Sequence, residues 1–211
     1  MVRNARALSR IAKSFSQPLG FIDRLLNTWR PRIFPFHDLM EYVPDDARVL
    51  DIGCGTGLWL YLLSRTKRIS FGLGVEVDLV KVDLANAIKT AEDRLEFRSI
   101  PPEMQWPSGN FDCLTMIDVL HHVPPPHQRD FLRRIEQTGA TRIVFKDIDP
   151  TAKCKAAMNT LHDLLLSHQR PRYREKEMVA EWLEEIGYCI SHEGRHDMLW
   201  YSHYLVVADK A

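Results

Sequence analysis

A doubly wound α/β domain, built on a mostly parallel sheet of seven strands with an antiparallel strand near its carboxyl end, is predicted by three features of this sequence. From Ala47 onward, short apolar runs alternate with segments of helical spacing, as expected of strands covered by helices on both faces. The first run ends in a glycine-rich turn, VLDIGCGTG at residues 49–57, where such sheets place a ligand loop. Near the end, GYCISHE and LWYSHYLVVA follow one another without a helix between them, so they are expected to pair as a hairpin.

The elements follow in order. ARVLDI is a short apolar strand, LWLYLLSR a helix, and ISFGLGVEV a second strand, with Asp78 placed to cap the next helix. Leu79 to Asp93 reads as that helix, LEFRSI as a third strand, and FDCLTMIDVL as a fourth that runs into HHVPPPH. Pro124 to Pro126 stop it, because proline cannot donate to a ladder. A helix from Pro126 or His127 to Arg134, the strand TRIVFKDI and a helix from Ala152 to His168 complete the alternation. A last helix near Lys176 to Ile186 precedes the hairpin, whose turn is expected around Arg195 to Met198 and whose outer member is expected to be an antiparallel edge strand.

Length and composition bound the function. At 211 residues and 45% hydrophobic, the chain can bury one good core. We divide it into a helical arm, residues 1–36, and a domain proper, residues 37–211. Basic and acidic side chains balance at 28 each, so no global field recruits nucleic acid or an anionic membrane. The arm alone carries seven basic residues against Asp23, a net +6. Its Leu8, Ile11, Phe15 and Leu19 recur at helical spacing, so the arm is amphipathic. Such a segment suits a transit peptide or a peripheral contact with a membrane or partner. A second apolar set, Ile22, Leu25, Leu26 and Trp29, continues the pattern toward the core and favours a cap across the mouth of the domain. Four scattered cysteines with no CxxC pair, no bilayer-length apolar run and no signal-peptide core point to a soluble protein of a reducing cytoplasm.

The loop at Gly53, Gly55 and Gly57 permits positive φ and lets a ligand lie on bare backbone at the start of a helix. A dinucleotide fingerprint would need glycine at position 58, which is Leu58, and no Lys-Ser or Lys-Thr pair follows to make a phosphate loop of the Walker type. The order VLDIGCGTG, GVEVD and FDCLTMIDVLHHVP resembles the class I S-adenosylmethionine-dependent methyltransferases, in particular the small-molecule branch that includes quinone-ring methyltransferases. The likeness covers roughly residues 46–146. It implies a Rossmann-like fold and S-adenosyl-L-methionine as cofactor. Asp51 would help hold the methionine amino group, and the backbone of Gly53, Cys54, Gly55 and Gly57 would face the methionine and ribose. Glu76 would accept from both ribose hydroxyls, with Val77 beside it, while Asp118 and Val119 would line the methionine end. Where the family commonly meets the adenine amine with an acid, this chain has Ile100. Adenine contact then falls to backbone, apolar surface, Ser99 or Glu103.

Methyl transfer is an in-line displacement, so alignment alone supplies much of the acceleration. A phenol or alcohol acceptor would also profit from a base, and His121 and His122 lie just beyond the strand that delivers Asp118. In FKDIDP, Asp147 and Asp149 end the fifth strand, and Asn159 and His162 share one side of the helix that follows. His162 competes with His121 as base. Such acids can chelate a divalent metal, but separated acids in such sheets more often contact substrate or cap helices, so no metal is expected. Trp29, Arg30, Phe34 and Phe36 of the arm either close over the acceptor or anchor the arm. The chain is small, and DVLH stands where enzymes acting on base amines carry a Pro-Pro-Tyr type motif, so nucleic-acid substrates drop in rank; a small aromatic or polyketide-like acceptor methylated on oxygen is the leading expectation. Nitrogen or carbon methylation, or a non-catalytic cofactor-binding accessory protein, are the alternatives.

Overall fold

Period-two alternation decides how the strands bury themselves. In β1 (Ala47–Ile52), Val49 joins one apolar cluster and Leu50 the other. In β5 (Arg142–Ile148), Val144 does the first and Ile143 and Phe145 the second. Side chains of successive residues point to opposite faces, so both faces of the sheet must be covered. With β2 (Ile69–Glu76), β3 (Leu95–Ser99) and β4 (Cys113–Ile117), these strands run parallel. A computed structural model describes residues 5–17, 20–34, 36–66, 69–151, 172–198 and 201–211. The strand order is β3-β2-β1-β4-β5-β7-β6. The chain proceeds outward from β1 to β3, then returns to place β4 on the other side of β1. That reversal opens a crevice beyond the carboxyl end of β1.

The hairpin differs from the sequence reading in two respects. Its strands, β6 (Tyr188–Met198) and β7 (Tyr201–Lys210), are longer than read, so Arg195 to Met198 lie within β6 rather than in the turn. The antiparallel strand is also not at the edge: β7 lies between β5 and β6. Composition explains the order. Tyr204 to Ala208 are all at most 1% exposed, whereas SHEGRHD of β6 is polar and tolerates the solvated edge.

Helices α1 (Ala5–Phe15), α2 (Phe21–Ile33) and α3 (Phe36–Tyr42) precede the sheet; the last of these was not read from sequence. Next come α4 (Leu58–Thr66) and α5 (Leu79–Ile88), the latter capped by Asp78 as expected, with Val80 N–H donating to its carboxylate at 2.9 Å. The helix read through Asp93 stops at Ile88, and Ala91–Asp93 forms a separate 3-10 turn whose Thr90 and Asp93 cap each other. Helices α6 (Gln128–Arg133) and α7 (Lys176–Glu185) cover the opposite face, with Leu132, Val179 and Leu183 in its cluster. The helix expected over residues 152–168 lies outside the described residues. No described helix is long and apolar enough to cross a membrane.

In α1, Leu8, Ala12 and Phe15 are buried in the same cluster as Trp59 and Leu62 of α4, with Phe15 4.9 Å from the Tyr61 ring. Arg6, Arg10 and Lys13 form the exposed stripe opposite. Replacing Phe15 by alanine should therefore cost ~3–5 kcal/mol, the usual penalty for emptying a buried phenylalanine site. A lowered urea midpoint with unchanged slope checks this, and a loss below about 1 kcal/mol would show that the arm is not part of the cooperative unit.

Candidate active site

The loop after β1 is shaped by three left-handed residues: Gly53, Gly55 and Gly57 have φ of +72°, +55° and +84°. They do different work. A Cβ on Gly53 would lie 2.4 Å from Val119 Cγ2, and one on Gly57 would lie 2.5 Å from the Phe97 ring, so these two allow close packing. A Cβ on Gly55 would meet nothing within 4 Å. That residue presents bare backbone to open space. The loop is tied to the end of β2, where the Gly53 and Cys54 N–H groups both donate to the Val75 carbonyl at 2.8 and 3.1 Å. Cys54 is itself buried, and burial pushes its thiol pKa far up, which makes it packing rather than a nucleophile.

Glu76 closes the cradle. Its Oε2 accepts the Gly55 N–H at 3.0 Å, while Oε1 accepts those of Val77 at 2.8 Å and Asp78 at 3.2 Å. A carboxylate has about four acceptor sites, so a half-buried Glu76 braces the loop and keeps capacity for a ligand diol. A methyl group at position 55 would enter that cradle while straining only one φ. Gly55→Ala is expected to cost roughly 1–2 kcal/mol of stability and to lower nucleoside affinity at least about tenfold. Thermal melting and calorimetric titration read the two effects separately.

Asp51 stands across the cradle, 2% exposed. The β1–β4 register sets it opposite Thr115, whose hydroxyl donates to Asp51 Oδ1 at 2.7 Å and accepts from the Trp59 indole at 3.2 Å. Burial pushes its pKa up to about 7; Glu76 adds to the rise, and the Thr115 hydrogen bond and Arg30 oppose it. A cation brought beside it would recover that penalty.

Two polar pairs occupy the ends of β4 and β5. Asp118 Oδ1 accepts from the buried Lys146 ammonium at 2.5 Å, and its Oδ2 lies 4.0 Å from the Arg30 guanidinium. Burial alone would raise the Asp118 pKa, but the Lys146 ammonium, with Arg30 beyond it, holds it well below the usual carboxylate range. Beside this pair, His121 Nδ1 lies 2.6 Å from Asp147 Oδ1, and both residues are almost wholly buried. Since a carboxylate only accepts, Nδ1 carries the proton and Nε2 the basic lone pair. His122 is exposed, its ring 4.1 Å from that of His121, and the Tyr173 ring lies 5.2 Å from that of His121.

Of the residues singled out in the sequence, the fold brings together Asp51, the glycine loop, Glu76 and Val119 on one side and Asp118, His121 and Asp147 on the other. Asp149 does not join the second group but turns to Thr151 and Arg195, the latter at 2.6 Å. Asn159 and His162 lie outside the described residues. Groups of Asp118, His121 and Asp147 come within 4.8 Å of one another, near enough to chelate an ion. Lys146 on Asp118 and the imidazole on Asp147 already supply the partners a cation would provide. Sequence reasoning missed Thr115, Trp59 and Lys146. For Lys146 a signal was present: a lone lysine inside the apolar strand TRIVFKDI has to be paired if it is buried.

A switch-point crevice, a glycine cradle and flanking acids define a nucleoside-binding α/β domain of the methyltransferase kind. The chain belongs to a family of methyltransferase domains, whose sequence model matches residues 20–193, within the class I, S-adenosylmethionine-dependent methyltransferases. Among its relatives is a ubiquinone biosynthesis O-methyltransferase of Xanthomonas axonopodis pv. citri, 32% identical over 103 residues, which make up 44% of this chain and 43% of that protein. The protein of the same name from Nitrosococcus oceani is 34% identical over 109 residues, covering 44% and 43% of the two chains. The chain thus spans less than half the length of these relatives. Among solved structures, magnesium protoporphyrin IX methyltransferase from Synechocystis PCC 6803 with bound S-adenosylhomocysteine has a TM-score of 0.69 at 14% identity, covering 92% of this chain and 89% of that one. An S-adenosylmethionine-dependent methyltransferase from Mesorhizobium loti has a TM-score of 0.67 at 18% identity, covering 82% and 96%. At such identities the likeness is one of fold.

Proposed function

We propose that this protein transfers a methyl group from S-adenosyl-L-methionine to an oxygen of a small aromatic or polyketide-like acceptor. The observation that carries the reading is the open, left-handed Gly55 set between the carboxylates of Asp51 and Glu76. Glu76 receives the two ribose hydroxyls, and the exposed Val77 with Ile100 offers the adenine an apolar surface. Asp51 meets the methionine ammonium, and the Gly53–Cys54–Gly55 backbone, Asp118 and Val119 line the rest of that end. When bound, the cofactor supplies an electrophilic methyl on a sulfonium, a leaving group that needs no proton.

The chain's own residues then align the acceptor, exclude water and handle one proton. His121 Nε2 takes the acceptor hydroxyl proton, and Asp147 fixes the tautomer and steadies the imidazolium that forms. The described part of the arm serves as a cap over the acceptor end, with Phe34 and Phe36 packed on each other, ring centres 4.2 Å apart. The O-methyltransferase names of the relatives support oxygen as the methylated atom. The test is labelled methyl transfer to a panel of phenols and catechols by wild-type protein and His121→Ala. Turnover should fall ~10²–10⁴-fold in the variant, the span of one general base, with affinity for S-adenosylhomocysteine retained. Equal turnover by both proteins would remove His121 from the mechanism, and label on nitrogen or carbon would move the acceptor class.

A further inference from the structure

Lys146 has no task in the chemistry proposed above, yet it is 1% exposed within the buried strand β5. An ammonium is costly to bury unless it is paired. Here its Nζ donates to Asp118 Oδ1 at 2.5 Å, and its own carbonyl accepts the Asp118 N–H at 3.0 Å. One residue thereby grips Asp118 at both side chain and backbone. Asp118 has a φ of +56°, a left-handed conformation that aspartate tolerates better than most residues, and the backbone bond to Lys146 helps to fix it. On its other side, the Lys146 ammonium lies 4.3 Å from the centre of the Phe34 ring, at the end of α2. Arg30, one turn earlier, completes the enclosure, with its guanidinium 5.7 Å from the same ring and 4.0 Å from Asp118 Oδ2. A second path leaves the arm through Phe36, which stacks on Trp59 at 5.6 Å, and Trp59 reaches Asp51 through Thr115. Both acids assigned to the methionine end are therefore joined to the arm by packed side chains.

We propose that Lys146 is a positioning residue, which holds the Asp118 carboxylate at the methionine end of the cofactor site and, through Phe34, makes the shape of that end depend on a docked N-terminal arm. The inference rests on the assignment of Asp118 to the cofactor site under the proposed function. It differs from a purely structural ion pair in a measurable way. A pair kept for stability alone changes melting and leaves the affinity of the folded protein as it was, whereas a residue that acts through Asp118 lowers affinity when it is lost and has nothing left to do once that carboxylate is gone.

The test is a double-mutant cycle read by calorimetric titration with S-adenosylhomocysteine and by thermal melting. With Asp118 intact, Lys146→Met is expected to lower affinity at least about tenfold, or 1.4 kcal/mol. With Asp118→Asn already in place, the same change is expected to lower it no further. Melting should show each single variant destabilised by a stranded charge and the neutral pair restored, so an affinity deficit that persists in the restored protein is not a folding defect. Unchanged affinity in Lys146→Met, or the same loss in both backgrounds, would overturn the proposal. A measurement on the unaltered chain stands beside the cycle: saturating S-adenosylhomocysteine should slow tryptic cleavage at the exposed Arg10 and Arg24, and unchanged cleavage would overturn the link to the arm. Failure of wild-type protein to bind S-adenosylhomocysteine would overturn the cofactor reading itself, and the proposal with it.

Discussion

Replacing Glu76 by alanine should lower affinity for S-adenosylhomocysteine by a factor of roughly 10²–10⁴, since two hydrogen bonds to a charged acceptor are lost at ~1.5–3 kcal/mol each. The same change removes the acceptor for the N–H groups of Gly55, Val77 and Asp78. Those groups lie at a solvated loop mouth, with Val77 60% exposed, and water can replace the lost partner. Melting temperature should therefore move little. Glu76→Gln keeps one acceptor oxygen and should lie between alanine and wild type. Titration calorimetry on the three proteins reads the series. Equal affinity across it would remove Glu76 from the ribose site.

Asp51→Asn should make the protein more stable and less able to bind cofactor. The folded carboxyl has a pKa of about 7 because it is buried, against ~3.9 in an unfolded chain. A raised pKa means that the folded state prefers the protonated acid. The stability this preference brings is fully present below about pH 3.9 and is lost as pH rises through about 7, so ionised Asp51 costs on the order of 4 kcal/mol at pH 8. Asparagine carries no such charge. Its melting temperature should exceed that of wild type by roughly 8–16 °C at pH 8, at ~2–4 °C per kcal/mol for a chain of this size, and converge with it near pH 4. Binding has the opposite dependence. An ammonium ligand needs the carboxylate, so wild-type affinity for S-adenosylhomocysteine should rise with pH up to about 7 and then level, by as much as about tenfold per unit on the acid side. The asparagine variant should be weak and flat across that range. A variant less stable than wild type at pH 8, with the same pH slope of affinity, would contradict the role given to Asp51.

What the sequence disclosed about the site was its local part. Asp51, the alternating glycines and Glu76 are readable because one short loop and the end of the next strand carry them at fixed spacing. Thr115 and Trp59 are not, because only the β1–β4 register and the packing of α4 bring them to Asp51. Asp147 and His121 were each visible as residue types at strand ends, but their pairing needed β4 and β5 to lie side by side. Lys146 carries its signal in its strand context, since a lone lysine within TRIVFKDI has to be paired if it is buried. The hairpin was legible and its placement was not. Pairing partners along a chain do not state which strand faces inward, and here the more apolar β7 displaces β6 to the edge. The 3-10 turn at Ala91–Asp93 depends on a cap between Thr90 and Asp93 that helical periodicity does not register.

The most direct test of the central claim is a crystal structure of the protein grown with saturating S-adenosylhomocysteine. The account predicts the ribose hydroxyls on the Glu76 carboxylate, the sulfur-bearing chain over Gly55 and the amino group beside Asp51. Density for the nucleoside elsewhere, or a Gly55 cradle filled by the protein's own side chains at saturation, would contradict it.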